Sequence, residues 1–167
     1  GGVTKNGVGT LTLYGENDYA GGTVINAGTL VIGSGGSGSL TGDVTDNGAL
    51  VFNRYDLVAF AGAITGSGSL TQQGSGRLIL AGDSNYSGGT TIASGLLQLG
   101  DGGTAGSVTG DIVNNGTLAL NHSGTTTLTN AISGYGNLEV MGGTLILAST
   151  PGYTGYTTID AGATLQA

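Results

Sequence analysis

The stretches GTLTLYGENDYAGGTVINAGTLVIG (residues 9–33) and GRLILAGDSNYSGGTTIASGLLQLG (residues 76–100) decide the fold of this chain. The second aligns with the first without a gap, so that Gly9 matches Gly76 and Gly33 matches Gly100. A third, partial copy, GTLILASTPGYTGYTTIDAGATLQ, occupies residues 143–166. Self-similarity at a fixed long period is typical of solenoids and other repeat architectures.

The similarity extends beyond these stretches, because SLTGDVTDNGALVFN (39–53) returns as SVTGDIVNNGTLALN (107–121). The whole of residues 1–167 therefore forms one segment built from repeat units. The units cover about residues 3–70, 71–138 and, in part, 139–167.

Short runs inside each copy alternate apolar and polar residues, as in Thr10–Leu13, Thr29–Ile32 and Arg77–Leu80. Period-two alternation indicates strands, and no run shows the 3.6-residue period of a helix. A period of about 67 to 68 residues fits three coils of about 22 residues each. The sequence therefore predicts an all-β fold, a single-stranded right-handed parallel β-helix (β-solenoid) of about seven coils. We expect both ends to be open, since Gly1 resembles the edge of a fragment.

Stacked apolar ladders would form the core of such a solenoid, with Leu11, Leu13, Ile25, Leu30 and Ile32 pointing inward. The glycines and the Asn-Gly pairs are expected at the corners, where the chain turns with positive φ. These pairs are Asn6-Gly7, Asn47-Gly48 and Asn115-Gly116. An antiparallel sandwich or barrel is the alternative fold, but it gives no reason for glycines to recur at a fixed long spacing.

Composition and charge exclude several classes of partner. Glycine contributes 37 of 167 residues, charged residues only 8%, and three basic against ten acidic side chains give a net charge of −7. No Lys/Arg cluster is available to neutralise phosphates, so neither nucleic acid nor an anionic membrane surface is an expected partner. The absence of cysteine excludes disulfides and thiolate metal sites.

No residue set for catalysis, a metal or a cofactor is recognisable, so we predict that the segment is not an enzyme. His122 is the only histidine, and we interpret it as a solvated corner residue. The run Gly33–Gly38 satisfies G-x-G-x-x-G by letter but precedes a strand rather than the helix that a dinucleotide site needs. The aspartates Asp43, Asp101 and Asp111 are isolated and lack the nine-residue repeat of calcium-binding β-rolls.

Positions where the copies differ are candidates for binding. The largest difference sets Arg54, Tyr55, Asp56 and Leu57 against residues 122–125, HSGT. Tyrosine and arginine are enriched in binding hot spots, so Arg54, Tyr55 and Asp56 form one candidate cluster. Tyr153 with Tyr156 forms a second. Neutral drift in exposed corners is the alternative explanation for both.

A specific family resemblance rests on the first copy. It resembles the passenger-associated transport repeat, also called the autotransporter-associated β-strand repeat, with the pattern G-x-G-T-L-x-L-x-G-x-N-x-Y-x-G-G-T-x-I-x-x-G-x-L. The matching positions are Gly7, Gly9, Thr10, Leu11, Leu13, Gly15, Asn17, Tyr19, Gly21, Gly22, Thr23, Ile25, Gly28 and Leu30. In the second copy Arg77 replaces the threonine, and the third departs further, with Ser149 for a glycine and Gly155-Tyr156 for the Gly-Gly pair.

The resemblance implies a Gram-negative autotransporter whose passenger is extracellular, at the cell surface or released. It would be exported through, and tethered by, a C-terminal barrel outside this chain. The expected role is a β-helical stalk for adhesive presentation. A segment that promotes folding and secretion, or a secreted effector that binds a host receptor, remains an alternative. Host-cell surfaces, matrix proteins or self-association are the expected partners, and no cofactor is implied.

Overall fold

The chain winds as a β-solenoid in a computed structural model that describes residues 1–167. It contains nineteen strands and no helix, and hence no helix able to cross a membrane. All pairings between strands are parallel, including those that join neighbouring coils in each sheet. The predicted parallel β-solenoid is confirmed.

Three sheets form the faces of the solenoid. The four-stranded sheet contains β1 (Val3–Lys5), β3 (Thr23–Ile25), β5 (Val44–Asp46) and β8 (Ile64–Thr65). The eight-stranded sheet contains β2 (Thr10–Leu13), β4 (Thr29–Gly35), β6 (Ala49–Arg54), β9 (Ser69–Gln72), β11 (Thr90–Ile92), β13 (Ile112–Asn114), β15 (Ile132–Gly134) and β17 (Gly152–Tyr153). The seven-stranded sheet contains β7 (Leu57–Phe60), β10 (Arg77–Leu80), β12 (Leu96–Leu99), β14 (Thr117–Leu128), β16 (Asn137–Leu147) and β18 (Thr157–Ile159), with β19 (Thr164–Gln166) paired to β16.

Most coils are shorter than the 22 residues that the sequence predicts, although the coil from Thr90 to Ile112 has that length. Thr10 pairs with Thr29, Thr29 with Ala49 and Ala49 with Ser69. Each of these steps is one turn of the solenoid. The number of residues in such a turn lies at the short end of the range of repeat lengths known for repeat proteins. Eight strands in one sheet correspond to eight coils rather than about seven. The estimate of three coils per repeat was wrong because it assumed a whole number of coils in each repeat.

The repeat instead spans three coils and about one further face, which rotates each copy of the motif relative to the one before. The opening strand of the first copy, β2, lies in the eight-stranded sheet, whereas that of the second copy, β10, lies in the seven-stranded sheet. In the third copy, residues 144–147 of β16 pair with 125–128 of β14, past the next corner. Successive copies of one sequence therefore face three different directions.

Inward side chains stack into ladders, as predicted. Leu11 pairs with Leu30, Leu30 with Leu50 and Leu50 with Leu70. They belong to or pack against one cluster of 26 buried hydrophobic residues that runs through the solenoid. Full burial of a leucine or isoleucine side chain stabilises the fold by about 1.5–3 kcal/mol, so the ladders are the main source of its stability.

Sixteen glycines adopt positive φ, as expected, but the glycines of the Asn-Gly pairs do not. A Cβ on Gly48 would collide with the carbonyl oxygen of Gly28, and one on Gly116 with that of Gly95. Gly28 and Gly95 carry the positive φ themselves, at 75° and 64°. Glycine at 48 and 116 therefore permits close contact between neighbouring coils, while the left-handed turn is made one coil earlier.

Candidate functional site

Arg54 lies beneath a glycine-rich loop, the first loop (residues 33–38), and holds it in place. Its guanidinium donates to the carbonyl oxygen of Gly38, to both carboxylate oxygens of Asp56 at 2.8 and 2.7 Å, and to Glu16 at 3.4 Å. Glu16 in turn accepts from the amide of Gly38 at 3.2 Å. With only 8% of its surface exposed, Arg54 is an anchor for the loop rather than a free contact residue.

His122 holds the second loop (residues 100–106) in place in the same way. Its Nε2 lies 3.2 Å from the carbonyl oxygen of Gly106, and only 5% of the residue is exposed. The interpretation of His122 as a solvated corner residue is wrong. The corner bends the chain so that the position points under the loop, where a donor is needed for an otherwise buried carbonyl.

Carboxylates complete both loop anchors. Asp83 accepts from the Ser107 hydroxyl at 2.8 Å and from the amides of Gly106 and Ser107 at 3.0 and 3.1 Å. The Ser107 hydroxyl is the main reason that the pKa of Asp83 lies below its usual range. Hydrogen bonds from Ser39 and then from the Gly38 amide lower the pKa of Glu16 in the same way. Both carboxylates are therefore ionised loop supports.

Tyr55 and Asp56 are the solvent-facing members of the first candidate cluster. Tyr55 is 68% exposed, and its ring lies against Gly35 and Gly36, where a Cβ on Gly36 would collide with the phenol. The side chain of Asp56 is 41% exposed, and the hydrogen bond from Arg54 lowers its pKa. An aromatic ring and a fixed carboxylate are thus displayed beside a loop with little side-chain bulk.

The second candidate pair divides between structure and surface. Tyr153 bonds its hydroxyl to that of Thr157 at 2.6 Å, whereas Tyr156 is 85% exposed. Equivalent hydroxyl pairs join Tyr19 to Thr23 at 3.0 Å and Tyr86 to Thr90 at 2.7 Å. The recurrence of a tyrosine and a threonine at the same spacing in all three copies is a sequence signal that Tyr153 has a structural role.

The remaining residues considered from the sequence are those of the first loop and the aspartates Asp43, Asp101 and Asp111, which lie between strands. The first loop is not followed by a helix, so no helix N-terminus faces it. Asp43 accepts from the amide of Ala63 at 2.8 Å and Asp111 from that of Ala131 at 3.4 Å. Asp101 is exposed in the second loop.

Several buried polar residues escaped the sequence analysis. Lys5 donates to the carbonyl oxygens of Gly7 and Ala27, and its repeat mate Gln72 donates to those of Gly74 and Gly76, both at 3.1 Å. Asp46 is completely buried; its Oδ1 accepts from the Gly48 amide at 2.9 Å, while Oδ2 has no partner. Burial raises the pKa of Asp46. A polar residue at an inward position of the alternation was the available signal for each.

Comparison with known proteins identifies the repeat. The passenger-associated-transport-repeat family matches residues 3–32, 70–99 and 142–167, which is just over half of the chain. This chain belongs to the passenger-associated-transport-repeat family. Each matched range contains one of the three Tyr–Thr pairs, so the pair is a structural element of every copy of the repeat in this chain.

One curated protein is similar to most of this chain, beyond the ranges that match the passenger-associated transport repeat. The chain is 41% identical over 158 residues to the adhesin BmaC autotransporter of Brucella suis biovar 1 (strain 1330), a match that covers 81% of this chain. The chain spans about 5% of the length of that relative. No solved structure matches the chain. The segment is part of an autotransporter passenger, which lies outside the cell or at the cell surface.

Proposed function

We propose that this segment is a non-enzymatic extracellular stalk that presents adhesive contacts on its corners. The observation that carries the proposal is that, within each coil, the residues that hold the fold together are separate from the residues displayed at the corners. Backbone pairing and inward ladders join every coil to the next, so the rod does not depend on what its corners display. The relative named as an adhesin supports the same role.

The contact residues that we propose are Tyr55 and Asp56 beside the first loop and Tyr156 near the C-terminal end. Arg54 and Tyr153 belong to the same clusters but act by positioning them, through the hydrogen bonds to Asp56 and Thr157. We further propose that the repeat units cover about residues 3–70, 71–138 and 139–167, as expected from the sequence.

The proposed partner is a host-cell surface or matrix protein, with tethering to the outer membrane through a C-terminal barrel of the full-length protein. Binding of the purified chain to cultured host cells and immobilised matrix proteins tests the adhesive role. Y55S introduces the residue of the second copy and leaves the Arg54 anchor intact. We expect Y55S and Y156S each to weaken binding at least fivefold, which corresponds to about 1 kcal/mol.

A matched control is V8S, since Val8 is also highly exposed but lies at a different corner, between β1 and β2. Binding that V8S leaves intact and Y55S weakens supports the proposal. Equal binding by all variants contradicts the assignment of Tyr55 and Tyr156 as contact residues, and no binding by the parent chain contradicts adhesive presentation.

A second candidate function is promotion of passenger folding and export, which the transport in the family's description favours. Deletion of residues 1–167 from the full-length passenger tests it. Loss of surface exposure of the remaining passenger would support an export role, whereas normal exposure with lost adhesion would favour the stalk.

A further inference from the structure

Four of the seven tyrosines are exposed, and all four lie on one edge of the solenoid. This tyrosine edge is the corner at the C-terminal ends of the strands of the eight-stranded sheet, and from the third coil onward it leads to the seven-stranded sheet. Tyr14 follows β2, Tyr55 lies between β6 and β7, Tyr135 between β15 and β16, and Tyr156 between β17 and β18. Their exposures are 62, 68, 69 and 85%.

The three remaining tyrosines are the motif residues bonded to threonine. Every tyrosine without that structural bond is therefore on the tyrosine edge. The long sequence repeat does not bring the four tyrosines together. Their spacing in the sequence follows the coil of the solenoid instead. Their alignment is a property of the folded chain.

The rings are spaced along the edge by whole coils. Tyr14 and Tyr55 lie in the first and third coils, and Tyr135 and Tyr156 in the seventh and eighth, as counted along the eight-stranded sheet. With a rise of about 4.8 Å per coil, the edge is about 34 Å long. An elongated ligand with a repeating unit close to one coil step fits such a row.

The tyrosine edge carries little charge. The turns that cross it in the fourth to eighth coils, residues 73–76, 93–95, 115–116, 135–136 and 154–156, contain only Gln, Gly, Ser, Ala, Asn, Tyr and Thr. In the first three coils the loop after Tyr14 carries Glu16 and Asp18, and Asp56 follows Tyr55. Glu16 and Asp56 both pair with Arg54. The edge therefore has no free cation to attract an acidic ligand, and it is uncharged in its last five coils and negative in its first three.

Cations that could pair with an acidic ligand are also absent elsewhere on the surface. Lys5 and Arg54 are buried, and the half-buried guanidinium of Arg77 is engaged with Gln98 and Met141. The net charge of −7 adds repulsion against sulfated, sialylated or phosphorylated groups.

We propose that the tyrosine edge binds an extended, uncharged glycan chain. The negatively polarised face of a phenol ring attracts the C–H face of a sugar, and one sugar with its linkage is similar in length to one coil step. Hydroxyl and amide side chains such as Ser75, Ser94 and Asn115 lie between the tyrosines and can hydrogen-bond sugar hydroxyls. The inference rests on the proposed adhesive function and names the chemical class of its partner.

The test uses the 167-residue chain on an array of neutral N-acetyllactosamine and β-glucan oligosaccharides beside sialylated and sulfated counterparts. We expect saturable binding to a neutral series that strengthens with oligosaccharide length. Y135A should weaken it at least fivefold, Y135F should retain it, and V8A should leave it unchanged. Tyr135 is suited to the test because its side chain is exposed, so its substitution should leave folding unaffected. Thermal melting of the variants checks this.

Other outcomes overturn the inference and are distinguishable from failure of the proposed function. Preference for sialylated or sulfated glycans, or equal binding by Y135A, contradicts a neutral glycan on this edge. Host-cell binding that depends on Tyr55 and survives enzymatic removal of surface glycans would keep the adhesive function and assign a protein partner instead. Absence of both cell and glycan binding would contradict both proposals.

Discussion

The two glycine-rich loops perform the same structural task with different chemistry. In the first loop the carbonyl of Gly38 is held by Arg54, with Glu16 and Asp56 as ionic partners. In the second loop the carbonyl of Gly106 is held by the smaller His122, beside Asp83. Residues that differ most between the copies are thus structurally equivalent. The sequence difference between the two repeats therefore reflects a different residue holding the loop. Only neighbouring exposed residues, such as Tyr55, are accessible to a partner.

The largest expected difference between the copies concerns the motif tyrosine. Tyr86 is fully buried in the second copy, whereas Tyr19 in the first is only half-buried. Tyr86→Ala should lower the free energy of unfolding by about 3–5 kcal/mol, because it leaves a cavity and removes the bond to Thr90. Tyr19→Ala should cost about 1 kcal/mol, close to the value of its hydrogen bond. Urea unfolding followed by circular dichroism measures both; similar losses in the two variants would contradict the difference in burial.

Exchange of the loop anchors should have an intermediate effect. Arg54→Ala is expected to cost about 2 kcal/mol, since it removes charge-assisted hydrogen bonds, and His122→Ala about 1 kcal/mol, since it removes a single bond. Arg54→His should recover part of the loss because it copies the anchor of the second loop. Urea midpoints and proteolysis within residues 33–38 report the result. An unchanged midpoint and unchanged cleavage in Arg54→Ala would show that the loop does not depend on this residue.

The smallest effect is expected at a buried pair of repeat mates, Asp46 and Asn114. Both are completely buried, and Asn114 donates to the carbonyl of Asn137 at 2.8 Å. Asp46→Asn copies the second repeat and should raise the free energy of unfolding at pH 7 by about 1 kcal/mol.

The sign of the pH dependence follows from the raised pKa of Asp46. The unfolded carboxyl loses its proton at lower pH than the folded one, so the contribution of Asp46 to stability falls as pH rises above about 4. The advantage of Asp46→Asn should therefore be present at pH 7 and absent at pH 3. Thermal melting from pH 3 to 8 measures it; a constant difference across that range would contradict a titrating Asp46.

The sequence was sufficient to predict the parallel solenoid, the inward ladders and the family, because these depend on alternation and on glycines that recur at a fixed offset. It was insufficient for the length of the coil, since a long repeat is compatible with a whole or a fractional number of turns. That error concealed the tyrosine edge, whose members share a corner only when the coil is shorter than a third of the repeat. It also concealed the roles of Arg54 and His122, because a corner residue can point under a loop or into solvent.

The coil length and the rotation between repeats are tested most directly by distances between spin labels. The chain has no cysteine, so Y55C/Y135C and Y55C/S123C can be labelled selectively. Residues 55 and 135 lie on one edge four coils apart, about 19 Å, whereas the repeat mates 55 and 123 lie at different corners. We predict that the 55–135 distance is the shorter of the two. A shorter 55–123 distance would mean that each repeat takes a whole number of coils, and it would contradict both the rotation and the tyrosine edge.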